Sequence, residues 1–300
     1  MTLVGIEILL LVIVVMAGFA AVVLSLRRLE GRQRRWVQSL SDLVATAAAD
    51  NSARSLLASP RYADPRRLTR QGAKIYSQSD EDGIIDEIFR RIGTSSRRFL
   101  EIGVGDGLEN NTLALLVQGW TGSWIDGSPQ NAAKICARFA PMLKDGRLRF
   151  LERRVTLATL DEVLRETGGA DGLDLFSLDI DGNDYHIAAH MQLTARVIVL
   201  EYNARFAPPV DWIMAYDENH VWRGSDHFGA SLVSYATLLR DKGYSLVGCN
   251  LSGTNAFFVR GDLVGELFLG PFTAETHYEP ARYWLIPAFG AGHRPDFRPG

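Results

Sequence analysis

Cysteine is scarce in this chain: among 300 residues only Cys136 and Cys249 occur. They are too far apart for metal-ligand spacing and too few for a disulfide framework, which fits a reducing compartment. Neither sign of charge dominates. The 32 Lys and Arg residues stand against 35 Asp and Glu, a formal net charge of -3, so nothing in the overall charge draws the chain to nucleic acid. A cleavable leader is not indicated, because the basic residues follow the first apolar run instead of preceding it.

One long hydrophobic run is present. From Ile8 to Leu26 the sequence is apolar except for Ser25, and Arg27, Arg28, Arg32, Arg34 and Arg35 follow. That length suits a helix crossing the hydrocarbon core, and the arginines place the amino terminus outside and the remainder at the cytoplasmic face. The expected organisation is a single-pass cell-membrane anchor over 1–26 and a juxtamembrane helix and linker over 27–72. A catalytic domain over 73–269 and an irregular tail over 270–300 complete it. The helix is expected to reach about Leu57, before Pro60 and Pro65 break the pattern.

Residues 98–128, RFLEIGVGDGLENNTLALLVQGWTGSWIDGS, organise the rest. Phe99 to Ile102 reads as a buried strand, Gly103, Gly105 and Gly107 as a turn, Asn110 to Gln118 as a helix, and Trp124-Ile125 as a second strand stopping at Asp126. This is the first half of a nucleotide-binding α/β unit. Glycines let backbone approach a ligand, and a carboxylate at a strand tip can accept hydrogen bonds from two ribose hydroxyls. The alternating glycines lack the dinucleotide spacing. Preceded by Glu101, they resemble instead the S-adenosylmethionine loop of class I methyltransferases. A ligand-free tight turn would use the same residue types.

Further along, Ser79 is expected to cap a helix over GIIDEIFRRIG, with Asp82 in its first turn. Arg147 to Leu151, Leu173 to Ile180 and Arg196 to Glu201 read as strands three to five. Helices over Pro129 to Phe139, Thr159 to Glu166 and Ser231 to Lys242 accompany them. Tyr244 to Val247 and Ala256 to Val259 form a closing pair of strands. The fold class expected is α/β: a Rossmann-like, seven-stranded, mostly parallel sheet with one antiparallel strand near an edge.

Several motifs together resemble FkbM-like methyltransferases. They are Ser77-Gln78 with Glu81-Asp82 before an amphipathic helix, the strand entering G-x-G-x-G, Asn111-Thr112, Gly119-Trp120-x-Gly122, and LDIDGND over 178–184. The resemblance covers roughly residues 75 to 260. It implies a class I methyltransferase fold, S-adenosyl-L-methionine as cofactor, and a hydroxyl of a sugar or natural product as acceptor; with the apolar run ahead of it, the expected acceptor is a hydroxyl on a glycan, lipid-linked sugar or related metabolite. Cofactor contacts are then expected from Gln78, Glu101, Gly103, Gly105, Asp106, Gly107, Asp126, Gly127 and Ser128. Two positions depart from the pattern: Asp126-Gly127-Ser128 replaces Glu-Pro, and Arg153-Arg154 stand where an adenine-contacting acid is common, with Glu152 the available substitute.

Ligands of open α/β sheets sit beyond the carboxyl ends of the strands. Asp179, Asp181, Glu201 and Asn203 all fall there and supply hard oxygen ligands suited to Mg²⁺ or Mn²⁺. Such a set resembles the metal site of catechol-type O-methyltransferases; the same acids would also serve as turn formers and loop caps. Asp179, Asp181, His220 and His227 are the catalytic candidates, the histidines as general bases on the long loop after strand five. His186 and His190 are weaker ones. Tyr76, Gln78 and Asp82 are placed as a lid, and Trp212, Tyr216 and Trp222 as an acceptor wall or as core. Two other readings use the same turn and Asp126: an NAD(P)- or nucleotide-sugar-binding enzyme, and a non-catalytic binding module.

Overall fold

The computed structural model describes the backbone of residues 3–286 except 170 and 193; among residues 3–22 only Met16 and Gly18 are described beyond the backbone. A first helix, α1, spans Leu3–Leu57. Among the described residues no helix is long and apolar enough to cross a membrane. The expected anchor over 8–26 falls mostly on side chains outside the described ones. The chain divides into two compact units, Met1–Ala48 and Ala49–Gly300, and the second holds the sheet.

Seven strands build that sheet: β1 (Arg98–Ile102), β2 (Thr121–Asp126), β3 (Leu148–Glu152), β4 (Leu175–Leu178), β5 (Val197–Glu201), β6 (Tyr244–Cys249) and β7 (Asn255–Arg260). Their order is β3-β2-β1-β4-β5-β7-β6. All pairs are parallel except those made by β7, which runs antiparallel to both neighbours. This is the Rossmann-like arrangement expected from the alternation of strands and helices. The order reverses between β1 and β4, and a crevice opens at such a switch point.

Helices cover both faces. They are α2 (Glu81–Ile92), α3 (Leu113–Val117), α4 (Pro129–Arg138), α5 (Ala140–Lys144), α6 (Leu160–Glu166), α7 (Asp184–His190), α8 (Leu232–Asp241) and α9 (Ala274–His277). The period-two pattern of the strands assigns their side chains to the two layers. Leu100, Ile102, Phe176, Leu178, Ile198 and Leu200 pack with α6, α7 and α8. Phe99, Leu175, Val197, Val199 and Phe257 pack with α2, α3 and α4. With no polar alternation left, β4 and β5 are buried on both sides, as parallel strands are.

Several local expectations are corrected. The helix expected over 110–118 begins only at Leu113, because the residues before it serve Glu101 instead. Asn110 Nδ2, the amides of Asn111 and Thr112, and Thr112 Oγ1 all donate to its carboxylate. Trp124 Nε1 in turn donates to Thr112 Oγ1. Burial pushes the Glu101 carboxyl up to about 7, against the opposing pull of those donors.

Ser79 is not the cap of α2; Asp80 holds that position and Ser79 Oγ donates to it. Asp82 turns backward, accepting from the amides of Ile75, Tyr76 and Ser77 on one oxygen. An acid in a first turn can serve the helix dipole or the preceding loop, and here the loop has it. Glu81 accepts from Asn250 Nδ2 and Asn255 Nδ2, which ties this loop to the turn between β6 and β7. Helices α5, α7 and α9 are additions that the apolar spacing did not reveal, each too short to show a period, and α9 lies in the tail expected to be irregular.

Candidate functional site

A cavity of about 700 Å³ lies at the carboxyl ends of the strands, around the switch point. Such a volume is within the range of small-molecule sites. One side is the β1–α3 turn with Gly103 and Gly105, the tip of β2 with Asp126, Gly127 and Asn131, and Arg153 to Val155 after β3. Its other side carries Asp179, Ile180, Asp181 and Asn183 after β4, and Glu201 ending β5. The loop after β5 adds His220, Val221, Trp222 and Phe228. Gln78 and Thr254 close one margin, and Tyr283 and Ile286 another.

Asp126 is 8% exposed and stands on the cavity wall. One carboxylate oxygen accepts from the Gly105 amide at 2.8 Å. The other accepts from the Ser128 amide at 2.9 Å and from Asn131 Nδ2 at 3.1 Å. A carboxylate has about four lone-pair positions, so three donors fix its plane and leave an acceptor position for a ligand hydroxyl. The glycine turn and the strand-tip acid, read as two separate features of the sequence, are therefore one hydrogen-bonded unit.

Other residues expected at the cofactor have different places. Glu101 lies under the turn, occupied as above, and does not reach the cavity. Asp106 accepts from the Leu108 amide and pairs with Lys134 and Arg138. Gly107 is filled in behind by Phe139 and Trp124. Ser128 caps α4, its hydroxyl accepting from the Asn131 amide. These residues shape the turn from beneath, while Gly103, Gly105, Asp126, Gly127 and Gln78 face the space. Glu152 does not line the cavity; Arg153 and Arg154 do.

On the other side, oxygen atoms of Asp179, Asp181 and Glu201 lie within 4.8 Å of one another. Burial first, then neighbouring carboxylates, pushes Asp179 and Glu201 well above the usual carboxylate range. Glu201 Oε2 is buried with no hydrogen-bond partner. An orphaned carboxylate oxygen beside two further acids is the donor set a hard divalent cation takes, so these three residues fit Mg²⁺ or Mn²⁺. Asp181 has φ 56°, a left-handed backbone unusual for a residue with a side chain and often found at functional sites.

Asn203 does not join them. Its Nδ2 donates to the carbonyls of Asp226 and Phe228, and its Oδ1 accepts from the Arg205 amide. Asp184, the last acid of the LDIDGND stretch, folds back to accept from the amides of Ile180 and Gly182 at 2.8 and 2.9 Å. One acid of the motif thus builds the turn, and two are left for the cavity.

The two candidate histidines separate. His220 lines the cavity, its ring against the Gly182 backbone, and its Nε2 is buried without a partner. Arg154 Nη2 holds the loop in place by donating to the carbonyls of Glu218 and His220. His227 is exposed and off the cavity wall, with its ring centre 6.0 Å from that of His220. His186 Nε2 is bonded to the Met214 carbonyl, and His190 is exposed. Trp222 reaches the cavity, whereas Trp212 stacks on Phe206 and Tyr216 bonds to the Leu157 amide. Of the expected lid only Gln78 lines the space; Tyr76 and Asp82 belong to the loop behind it.

Sequence reasoning missed Tyr283 and Ile286. The segment carrying them is fastened by Glu279, whose carboxylate accepts from Tyr62 Oη at 2.7 Å and Arg282 Nη1 at 2.9 Å. The aromatic content of the tail was the available signal. Burial and the nearby Glu201 carboxyl push the Tyr283 phenol up to about 12.

The acid trio makes a pH prediction with a definite sign. Because the Asp179 and Glu201 carboxyls are raised, the folded chain holds protons that the unfolded chain releases near pH 4. Stability is therefore full below that range and falls as pH rises toward the raised values. A divalent cation replaces those protons, so added Mg²⁺ or Mn²⁺ should remove the share of the fall that these acids cause, while the raised carboxyls of Glu101, Asp80 and Glu81 keep the rest. Thermal unfolding from pH 4 to 8, with and without the ion, checks this, and Asp179→Asn should flatten the ion-free curve. An ion-free midpoint that stays level, or climbs, would contradict the account.

No protein-family model matches the chain, and neither does any curated protein. Among solved structures similar to it is the pyocyanin biosynthetic protein PhzM, at 16% identity and a TM-score of 0.38, over 59% of this chain and 54% of that one. Magnesium protoporphyrin IX methyltransferase from Synechocystis PCC 6803, with bound SAH, gives 15% identity and 0.39 over 61% and 82%. The glycopeptide N-methyltransferase MtfA, complexed with S-adenosyl-L-methionine, gives 16% and 0.35 over 59% and 86%. The chain spans about half the length of the first of these.

Proposed function

We propose that this protein is a class I, S-adenosylmethionine-dependent methyltransferase of the FkbM-like kind. Its acceptor would be a hydroxyl of a glycan, lipid-linked sugar or related metabolite. The observation that carries the reading is Asp126, set on the cavity wall by the Gly105 amide with acceptor capacity to spare. Ribose hydroxyls are the natural donors to such a carboxylate, and the glycine turn admits the rest of a nucleoside. Bound there, S-adenosylmethionine supplies a methyl group on a sulfonium.

The chain's own residues do the remainder. A hydroxyl attacks well only when its proton is drawn off and its oxygen is held in line. His220 Nε2, buried and unpartnered on the cavity wall, is the desolvated base for that proton. Asp179, Asp181 and Glu201 would hold a divalent ion that polarises the acceptor oxygen. Trp222, Phe228, Tyr283 and Ile286 supply apolar wall on that side. The run Ile8–Leu26 with its arginine flank supports anchoring at the cytoplasmic membrane face.

Calorimetry with S-adenosylmethionine, S-adenosylhomocysteine and NAD, each with and without Mg²⁺, tests the reading. Binding of the first two and not of NAD is expected, and preference for NAD would replace the methyltransferase with a dinucleotide enzyme. The anchor is tested by fractionation: the full chain should sediment with membranes and a chain starting at Arg27 should not. Release of the full chain by carbonate would sink that part.

A further inference from the structure

The amino-terminal edge of the sheet, opposite the cavity just described, carries a second, smaller cavity of about 190 Å³. The starts of β1, β2 and β3 line it together with Thr167, Gly168, Gly169 and Leu173. Nothing in the proposed reaction uses it. Two guanidinium groups, those of Arg98 and Arg149, meet there. A Cβ placed on Gly168 would lie 3.7 Å from Arg149 Nη1 and 3.8 Å from Arg98 Nη2, so both head groups flank one point.

Neither arginine is neutralised by a carboxylate among the described residues. Arg149 Nη1 donates to the Glu166 carbonyl at 2.9 Å, and Arg98 Nη1 reaches the Asp171 carbonyl at 3.4 Å. Their neighbours are different: Arg147 pairs with Asp145, and Arg153 with Glu162 and Glu166. A guanidinium has five N–H donors, so most of each fork remains open. Gly146, Gly168 and Gly169 line the cavity and put no side chain in front of those donors. Two unpaired like charges on one small, glycine-walled hollow favour an anion between them, and two forks match tetrahedral oxygens bidentately.

We propose that this hollow binds a phosphate group between Arg98 and Arg149, on a small soluble phosphate or on an anionic lipid headgroup. Its volume admits the phosphate and a short ester arm but no nucleotide. The site stands on geometry at the far edge of the sheet and does not depend on the methyltransferase reading.

The test is titration calorimetry on the full-length protein in a non-ionic detergent. The probes are inorganic phosphate, glycerol 3-phosphate, dioctanoyl phosphatidic acid and, as a control, dioctanoyl phosphatidylcholine. Binding of the two soluble phosphates supports a soluble ligand; binding of phosphatidic acid alone supports a headgroup. In either case Arg98→Gln and Arg149→Gln should each weaken binding by about tenfold, the scale of one charge-assisted fork, and the double variant should abolish it. The double variant should bind S-adenosylhomocysteine as the unchanged protein does. No heat from any phosphate overturns the proposal. So does equal heat from phosphatidylcholine, binding unaltered in the double variant, or loss of both ligands together, which would make the arginines supports of the fold.

Discussion

Asp126→Ala should lower affinity for S-adenosylhomocysteine by about 100-fold. A hydrogen bond to a charged group is worth roughly 1.5–3 kcal/mol, and the acceptor position left on this carboxylate takes one ribose hydroxyl. The same substitution releases the Gly105 and Ser128 amides and Asn131. The turn therefore loosens, and unfolding should show a loss of about 2 kcal/mol. Asp126→Asn separates the two effects: it keeps one acceptor oxygen and the shape, and should cost about tenfold in affinity with less loss of stability. Calorimetry on the folded variants reads both numbers. Affinity unchanged in Asp126→Ala would remove the observation on which the functional proposal stands.

The second large effect is a contrast between two glycines of one turn. A Cβ at Gly103 would lie 1.5 Å from the Asp179 carbonyl oxygen and 2.5 Å from its carbon, at φ +87°. The turn cannot give way without breaking the hydrogen bond from the Gly103 amide to the Ile125 carbonyl, nor the end of β4 without breaking that from the Asp179 amide to the Ile102 carbonyl. Gly103→Ala should thus cost about 4 kcal/mol or more, in the range that marks a specific steric failure. Gly105 has φ +57° but nothing within 4 Å of an added Cβ. Its alanine variant should lose only about 1 kcal/mol, the ordinary left-handed penalty, yet place a methyl group in the cavity where the proposed cofactor would lie. Denaturant unfolding and S-adenosylhomocysteine titration should show the first variant failing in stability and the second in binding. Equal destabilisation of both would mean that the open space beside Gly105 is not there.

These two sites also show what the sequence could and could not say. The sheet was legible because each parallel strand is a short apolar run stopped by glycine or acid: RFLEI before Gly103, LFSL before Asp179, VIVL before Glu201. Parallel strands joined by helical crossovers all end at one edge of the sheet, so the acids had to fall there. Which acid does what was not legible. Asp179, Asp181 and Asp184 are alike in the sequence, and only a helix start at Asp184, too short to show a period, turns one of them back onto its own backbone. Glu101 and Asn203 were misread for a related reason. Both sit beside the turns that face the cavity, but their side chains satisfy backbone groups from behind. Tyr283 lies far along the chain from the glycine turn, and no local spacing can announce a wall contributed from that distance.

The fastening at Glu279 joins parts of the chain 217 residues apart. Tyr62 belongs to the stretch just after α1, while Arg282 leads directly into the tyrosine at the cavity margin. The beginning and the end of the folded unit are thus knotted at one buried carboxylate, three residues before the knot's own arginine and four before the tyrosine that walls one margin of the cavity. Trimming the chain before Glu279 would unbutton both ends at once, so a shortened form should forfeit its grip near Tyr62 together with its far wall.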